Sequence, residues 1–216
     1  MKKCLIITGY VEGKLKEVFN TDEFDYIICA DNGYYIANES QVTPNLIIGD
    51  FDSLKKTVSL PDDIETITFP SEKDYTDTMI CIQEALRRGY FDISIAGGLG
   101  GRFDHTIANI QSMSWALNEG LSRYAKTVKI ILADGKNIIH LIKDSSLVLE
   151  GHPGEKFSLL SHTSNCLGVT VKHAKWPLLN ANLTSNFPIG VSNEFLSDSC
   201  TISVADGELL IMKSID

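Results

Sequence analysis

Short apolar runs of strand length, separated by polar stretches, mark the first part of the chain. Cys4–Thr8, Tyr26–Ala30, Leu46–Ile48, Ile64–Phe69, Ile93–Ala96 and Val128–Leu132 lack polar alternation. That pattern predicts strands buried on both faces. Two of the intervening stretches carry a clear helical period. In Asp74–Arg88, Met79, Ile82 and Leu86 share one face. Ser71-Glu72-Lys73-Asp74 resembles a capping box at its start, and Arg87-Arg88-Gly89 gives last-turn cations and a stop. A second helix is expected from about Asp104 to Asn118, ending near Gly120, with Trp115 in the core near Ile107, Ile110, Met113 and Leu117. Strands alternating with helices predict an α/β fold with a mainly parallel sheet flanked by helices.

The texture changes near Asp134-Gly135. Beyond it, Gly, Asn, Ser and Pro punctuate short β-like runs at Ile138–Ile142, Ser146–Leu149, Lys156–Leu160, Val169–Lys172, Thr201–Ala205 and Glu208–Met212. Asp206-Gly207 is a hairpin signal between the last two. The expected organisation is an α/β domain over 1–135 and a smaller all-β sandwich domain over 136–216.

Composition narrows the function classes. There are 28 acidic against 19 basic residues, a formal net charge of −9. A cationic face for a nucleic-acid backbone is therefore not expected. No apolar run approaches membrane-spanning length, and the apolar start is too short for a signal peptide. The five cysteines are scattered with no C-x-x-C spacing, so they read as buried reduced thiols in a cytoplasmic protein.

In an open parallel sheet, ligands bind beyond the carboxyl ends of the strands. The residues that follow the predicted strands are Asp31, then Asp50 and Asp52, then Asp74 and Asp77, then the glycine-rich turn Gly97–Gly101 with Arg102, Asp104 and His105. Converging carboxylates repel unless a cation sits among them. Oxygen-only donors suit a hard ion, Mg²⁺ first. Asp50 and Asp52 share a side of an extended segment. Asp74 and Asp77 lie on one face of a first helical turn, where helix capping is the competing explanation. The glycine turn fits neither G-x-G-x-x-G nor Walker A spacing, yet with Arg102 beside it a phosphate clamp is plausible. His105 either bonds phosphate, moves a proton or orients Asp104.

Asp31-Asn32-Gly33, Gly49-Asp50-Phe51-Asp52-Ser53, Lys73-Asp74-Tyr75-Thr76-Asp77 and Gly100-Gly101-Arg102-Phe103-Asp104-His105 occur in an order and spacing that resembles thiamine pyrophosphokinases. Lys175-Trp176-Pro177-Leu178 and Gly190-Val191-Ser192-Asn193-Glu194 are similar to the same family's carboxyl-terminal segments. The chain departs from it at Asn32, where the family usually has Gly and where Asn tolerates a left-handed backbone, and at Met79, where it usually has Glu.

The resemblance implies transfer of pyrophosphate from ATP to the hydroxyl of thiamine, giving thiamine diphosphate and AMP. It implies Mg²⁺, and a homodimer with the active site at the subunit interface. Carried onto this sequence, Asp50, Asp52 and Asp77 are the metal ligands. Asp74 ligates or sits behind the metal, and Arg102 binds the transferring phosphates. Asp31, Gly33, Gly100, Gly101, Asp104 and His105 face the nucleotide, while Trp176, Ser192 and Asn193 face thiamine. Two other functions fit the acidic edge alone: a Mg²⁺-dependent nucleotide phosphohydrolase, and a non-catalytic thiamine or nucleotide sensor.

Overall fold

Runs with no polar alternation need cover on both sides, and the arrangement of the first part supplies it. The computed structural model describes residues 1–50, 61–70, 72 and 74–215. Two compact units divide the chain, Met1–Lys136 and Asn137–Asp216. In the first, β1 (Lys3–Ile7), β2 (Tyr26–Ala30), β3 (Leu46–Gly49), β4 (Glu65–Thr68), β5 (Asp92–Ala96) and β6 (Lys129–Ala133) pair in the order β6-β5-β1-β2-β3-β4, every pair parallel. The helices are α1 (Leu15–Val18), α2 (Gly33–Glu39), α3 (Asp77–Arg87) and α4 (Phe103–Tyr124).

Leu5, Ile7, Ile27, Cys29 and Ile47 pack with Leu15 of α1 and Tyr34 and Ala37 of α2. Strand alternation sends Cys4, Ile6, Ile28 and Ile48 to the other side, where α3 lies against β1, β2 and β3. All four are fully buried. Each large apolar side chain so covered stabilises the fold by about 1.5–3 kcal/mol.

Several expected elements differ. The run Ile64–Phe69 was expected to be a buried strand, but among the described residues β4 is the sheet's edge and is largely exposed. The helix expected from Asp74 starts at Asp77, because Thr76 caps it by accepting from the Met79 N–H (3.2 Å). Ser71 and Lys73 of the expected capping box lie outside the described residues. Gly120 does not stop α4. A Cβ there would collide with Val128, so glycine lets the helix pass close to the chain entering β6. The stop comes at Ala125, which takes the left-handed conformation. Trp115 is half-buried rather than core, and lines a cavity of about 400 Å³ with Ile48, Phe69 and Tyr124.

The second unit contains β7 (Asn137–Lys143), β8 (Ser146–Glu150), β9 (Lys156–Ser161), β10 (Asn165–Lys172), β11 (Leu178–Thr184), β12 (Asn193–Glu194), β13 (Ser199–Ser203) and β14 (Glu208–Ser214). They form an antiparallel sheet β12-β9-β14-β7 and a second one, β11-β10-β13-β8. Phe157, Leu159, Leu209 and Ile211 of the one pack with Val169, Val171, Cys200 and Ile202 of the other. Strand pairing over the whole chain is therefore mixed, not mainly parallel. Asp206-Gly207 is not a hairpin: β13 and β14 belong to different sheets, and the chain crosses between them at Gly207, whose φ is 110°. All five cysteines are buried free thiols. No described helix is long and apolar enough to cross a membrane.

At the amino edge of the parallel sheet, Arg88 joins three elements. Its guanidinium donates to Glu84 (2.6 Å), to the Tyr26 hydroxyl (2.6 Å) and to Glu65. Arg87, then Arg88, holds the Glu84 carboxyl below its ordinary pKa of 4.5, and Arg88 does the same for Glu65. A depressed carboxylate stabilises the fold above its unfolded pKa and loses that effect as pH falls through the folded one. Arg88→Met should lower unfolding free energy at pH 7 by about 1–3 kcal/mol in urea titrations. The gap to the wild-type chain should narrow as pH drops below 4.5; a gap independent of pH would contradict this network.

Candidate functional site

Parallel register sets one carboxyl edge for all six strands of the first unit. Along it β1 is the switch point: its successors β2, β3 and β4 lie to one side, β5 and β6 to the other. Such a reversal opens the crevice in which open α/β sheets bind ligands. The crevice walls are the turns after β1 and β5, and they are stitched together. Thr8 N–H donates to Ala96 O (3.0 Å), and Gly98 N–H donates to Tyr10 O (2.8 Å). The buried Thr8 hydroxyl donates to Ala96 O (3.0 Å), and the buried Asn109 amide of α4 donates to Gly98 O (2.9 Å). Thr8 and Asn109 were not among the expected site residues. The signal was available, since Thr8 ends the first apolar run and Asn109 lies two turns into the helix that the glycine turn opens.

The glycine turn is a backbone surface. Gly97, Gly98, Gly100 and Gly101 all have positive φ, from 63° to 86°. A Cβ on Gly97 would collide with Tyr10 O, whereas Gly101 faces open space. The turn thus leaves its far end accessible just ahead of α4, whose first N–H groups are unpaired within the helix.

Asp31 and Asp50 follow neighbouring strands. Asp31 N–H donates to Ile48 O (2.7 Å), which fixes the two strand ends side by side at ordinary strand spacing. Asp31 itself holds the left-handed backbone, φ 45°, while Asn32 is at φ −60°. The left-handed demand expected at Asn32 therefore falls one residue earlier. Gly33 opens α2 directly against β1, and a Cβ there would collide with Ile7 O. Asp50 and Asp77 are partly exposed, Asp77 as the first residue of α3. Asp74 is exposed in the turn before α3, so it shares no helical face with Asp77. Asp52 lies outside the described residues. Asp134, buried just beyond β6, also belongs to this edge; its carboxylate accepts from Lys136 N–H (2.8 Å).

Arg102, Asp104 and His105 form an exposed group at the start of α4. Arg102 grips Asp104 with two bonds (3.2 and 2.6 Å), and Asp104 also accepts from His105 N–H (3.0 Å). The Arg102 guanidinium holds the Asp104 carboxyl below its usual range. Exposed pairs of this kind are weak and exchange readily, so Arg102 can be drawn to a stronger anion.

Among the described residues no three His, Cys, Asp or Glu side chains stand close enough together to cage a metal ion. Apart from His105, the candidate donors that follow the strands among the described residues are carboxylates. That fits Mg²⁺, which takes one or two protein carboxylates and completes its shell with water and phosphate.

In the second unit, Trp176 is 55% exposed on the loop between β10 and β11. Lys175 lies over its ring at 4.9 Å and pairs with Glu194 at 3.0 Å. Ser192 is exposed with φ 62°, its N–H donating to the Ser158 hydroxyl (3.1 Å). Asn193 is buried, and its amide is bonded to backbone.

Residues 20–125 match the family model for the thiamin pyrophosphokinase catalytic domain, and residues 136–209 match the model for the thiamin pyrophosphokinase vitamin B1 binding domain. The chain belongs to the thiamin pyrophosphokinase family. It is 28% identical over 223 residues to the thiamine pyrophosphokinase of Bacillus subtilis, covering 100% of both chains. The crystal structure of the Bacillus subtilis thiamine pyrophosphokinase superposes with a TM-score of 0.83 at 25% identity, again over 100% of both. The yeast thiamin pyrophosphokinase shares the fold, with a TM-score of 0.75 at 19% identity over 99% of this chain and 86% of that one. Neither the hydrolase nor the sensor is favoured by these matches.

Replacing Gly97 with Ala should strain both the positive φ and the junction of β1 with β5. A loss of about 1–3 kcal/mol in thermal unfolding is expected; unchanged stability would contradict the close approach.

Proposed function

We propose that this chain transfers pyrophosphate from ATP to the hydroxyl of thiamine, releasing thiamine diphosphate and AMP, as a homodimer in the cytoplasm with its active site at the subunit interface. The observation that carries the reading is the succession of a catalytic and a vitamin B1 binding match along one chain. On this reading residues 1–135 bind ATP with the metal, and residues 136–216 bind thiamine. The buried free thiols are compatible with a reducing compartment.

The thiamine hydroxyl oxygen forms a bond to the β-phosphorus of ATP, giving up its proton to one of the strand-end aspartates, as the bond from that phosphorus to the α,β-bridging oxygen breaks. AMP carries away the electron pair. Such transfer depends on positioning and charge neutralisation more than on covalent help. Asp50, Asp52 and Asp77 would hold Mg²⁺, with Asp74 behind them. Bound there, the ion supplies charge neutralisation to the phosphate oxygens. Arg102, released from Asp104, binds the transferring phosphates. Gly100 and Gly101 let the backbone approach them, and Asp104 and His105 border the same turn. Asp31 and Gly33 line the nucleotide side next to the β1 turn. Trp176 offers a π-face to the cationic vitamin, and the exposed Ser192 offers it a hydroxyl.

Incubation with ATP, thiamine and Mg²⁺ should yield thiamine diphosphate and AMP in equal amounts by mass spectrometry. ADP, or phosphate release without thiamine, would reject the reading. Asp77→Asn and Asp52→Asn should each lower kcat by about 10²–10³-fold with the circular dichroism spectrum unchanged. Near-normal rates would reject the metal assignment. Trp176→Ala should raise the thiamine KM by roughly three- to thirtyfold and leave the ATP KM alone.

A further inference from the structure

We propose that Asn193 serves thiamine recognition through Trp176, as a positioning residue that fixes where the indole stands. This rests on the reading of Trp176 as the ring platform. The Asn193 side chain is buried to 7% exposure, and burying an amide is unfavourable unless its bonds are met. Three of them go to the backbone at and beside the platform. Oδ1 accepts from Trp176 N–H (3.1 Å) and from Glu194 N–H (2.8 Å), and Nδ2 donates to Trp176 O (2.8 Å). Both polar groups of Trp176's main chain thus close onto one side chain.

The indole needs such a hold. At 55% exposure it gains little packing from the core that holds Phe195, which is fully buried against Phe157. Ala174 bridges Phe195, and Lys175 N–H donates to Glu194 O (2.9 Å), so the loop is tied to β12 on the Lys175 side as well. The Lys175 ammonium, kept in place by Glu194, lies over the indole ring. On this reading a flat ligand cation takes the opposite face, away from the ammonium. Asn193 directs the ring, and Lys175 sets which face is open.

The test uses the full chain in a Trp115→Phe background, so that fluorescence reports Trp176 alone. Asn193→Ala should speed indole motion in time-resolved anisotropy and raise the thiamine KM about tenfold, with kcat within twofold and the ATP KM unchanged. Asn193→Asp keeps the Oδ1 acceptor and loses the donor to Trp176 O, so it should fall between. Trp176→Ala with Asn193→Ala should be no worse for thiamine than Trp176→Ala alone. Additive losses would show that Asn193 touches the substrate itself and would overturn the proposal. So would unaltered indole motion, or equal losses for both substrates with a lowered unfolding midpoint. If the wild-type chain fails to take thiamine, the functional reading fails, while the anisotropy still decides whether Asn193 holds Trp176.

Discussion

In-register hydrogen bonding of parallel strands is the constraint on which the site depends. It compels the ends of strands far apart in sequence to finish on one edge. Asp31, Asp50, Gly97 and Asp134 follow four different strands, and pairing alone makes them neighbours along that edge. The bonds between the turns after β1 and β5 keep the crevice at the switch point in one shape. Thr8, Tyr10, Gly98 and Asn109 meet there through main-chain or amide contacts.

Electrostatics follow from this geometry. A chain of net charge −9 gathers more acid at the edge that, on the proposed reading, receives a polyphosphate. Two devices answer that. Carboxylates suit a hard divalent ion, and the far end of the glycine turn at Gly101 leaves open space where a side chain would block approach. Arg102 adds a guanidinium already held near the turn by Asp104. Structural ion pairs are placed elsewhere: the Arg88 network joins the starting edge of the strands, away from the strand-end residues.

Much of this was legible because apolar runs and strand-end polarity are local. The runs later found as β1, β2, β3, β5 and β6 lack polar alternation, and of the residues just past them Asp31 and Asp50 stand at neighbouring strand ends. What escaped depends on partners distant in sequence. Nothing in Ile64–Phe69 says that no strand lies beyond it, so its exposure as an edge was hidden. Asp206-Gly207 has hairpin chemistry, but which sheet each flanking strand joins is decided by β7, β8, β9 and β10. Gly120 reads as a stop until Val128 is seen against it. Asn193 was expected on the thiamine side; that its amide bonds the Trp176 backbone, 17 residues away, is visible only in the fold.

The central claim is that the strand-end carboxylates hold a divalent cation against the phosphates of the nucleotide. Calorimetric titration with an ATP analogue carrying a methylene in place of the α,β-bridging oxygen tests it most directly, with Mg²⁺ present and after its removal by chelator. The account predicts at least about tenfold tighter binding with the ion, a difference that disappears in Asp50→Asn. Equal affinity with and without the ion in the wild-type chain would contradict it.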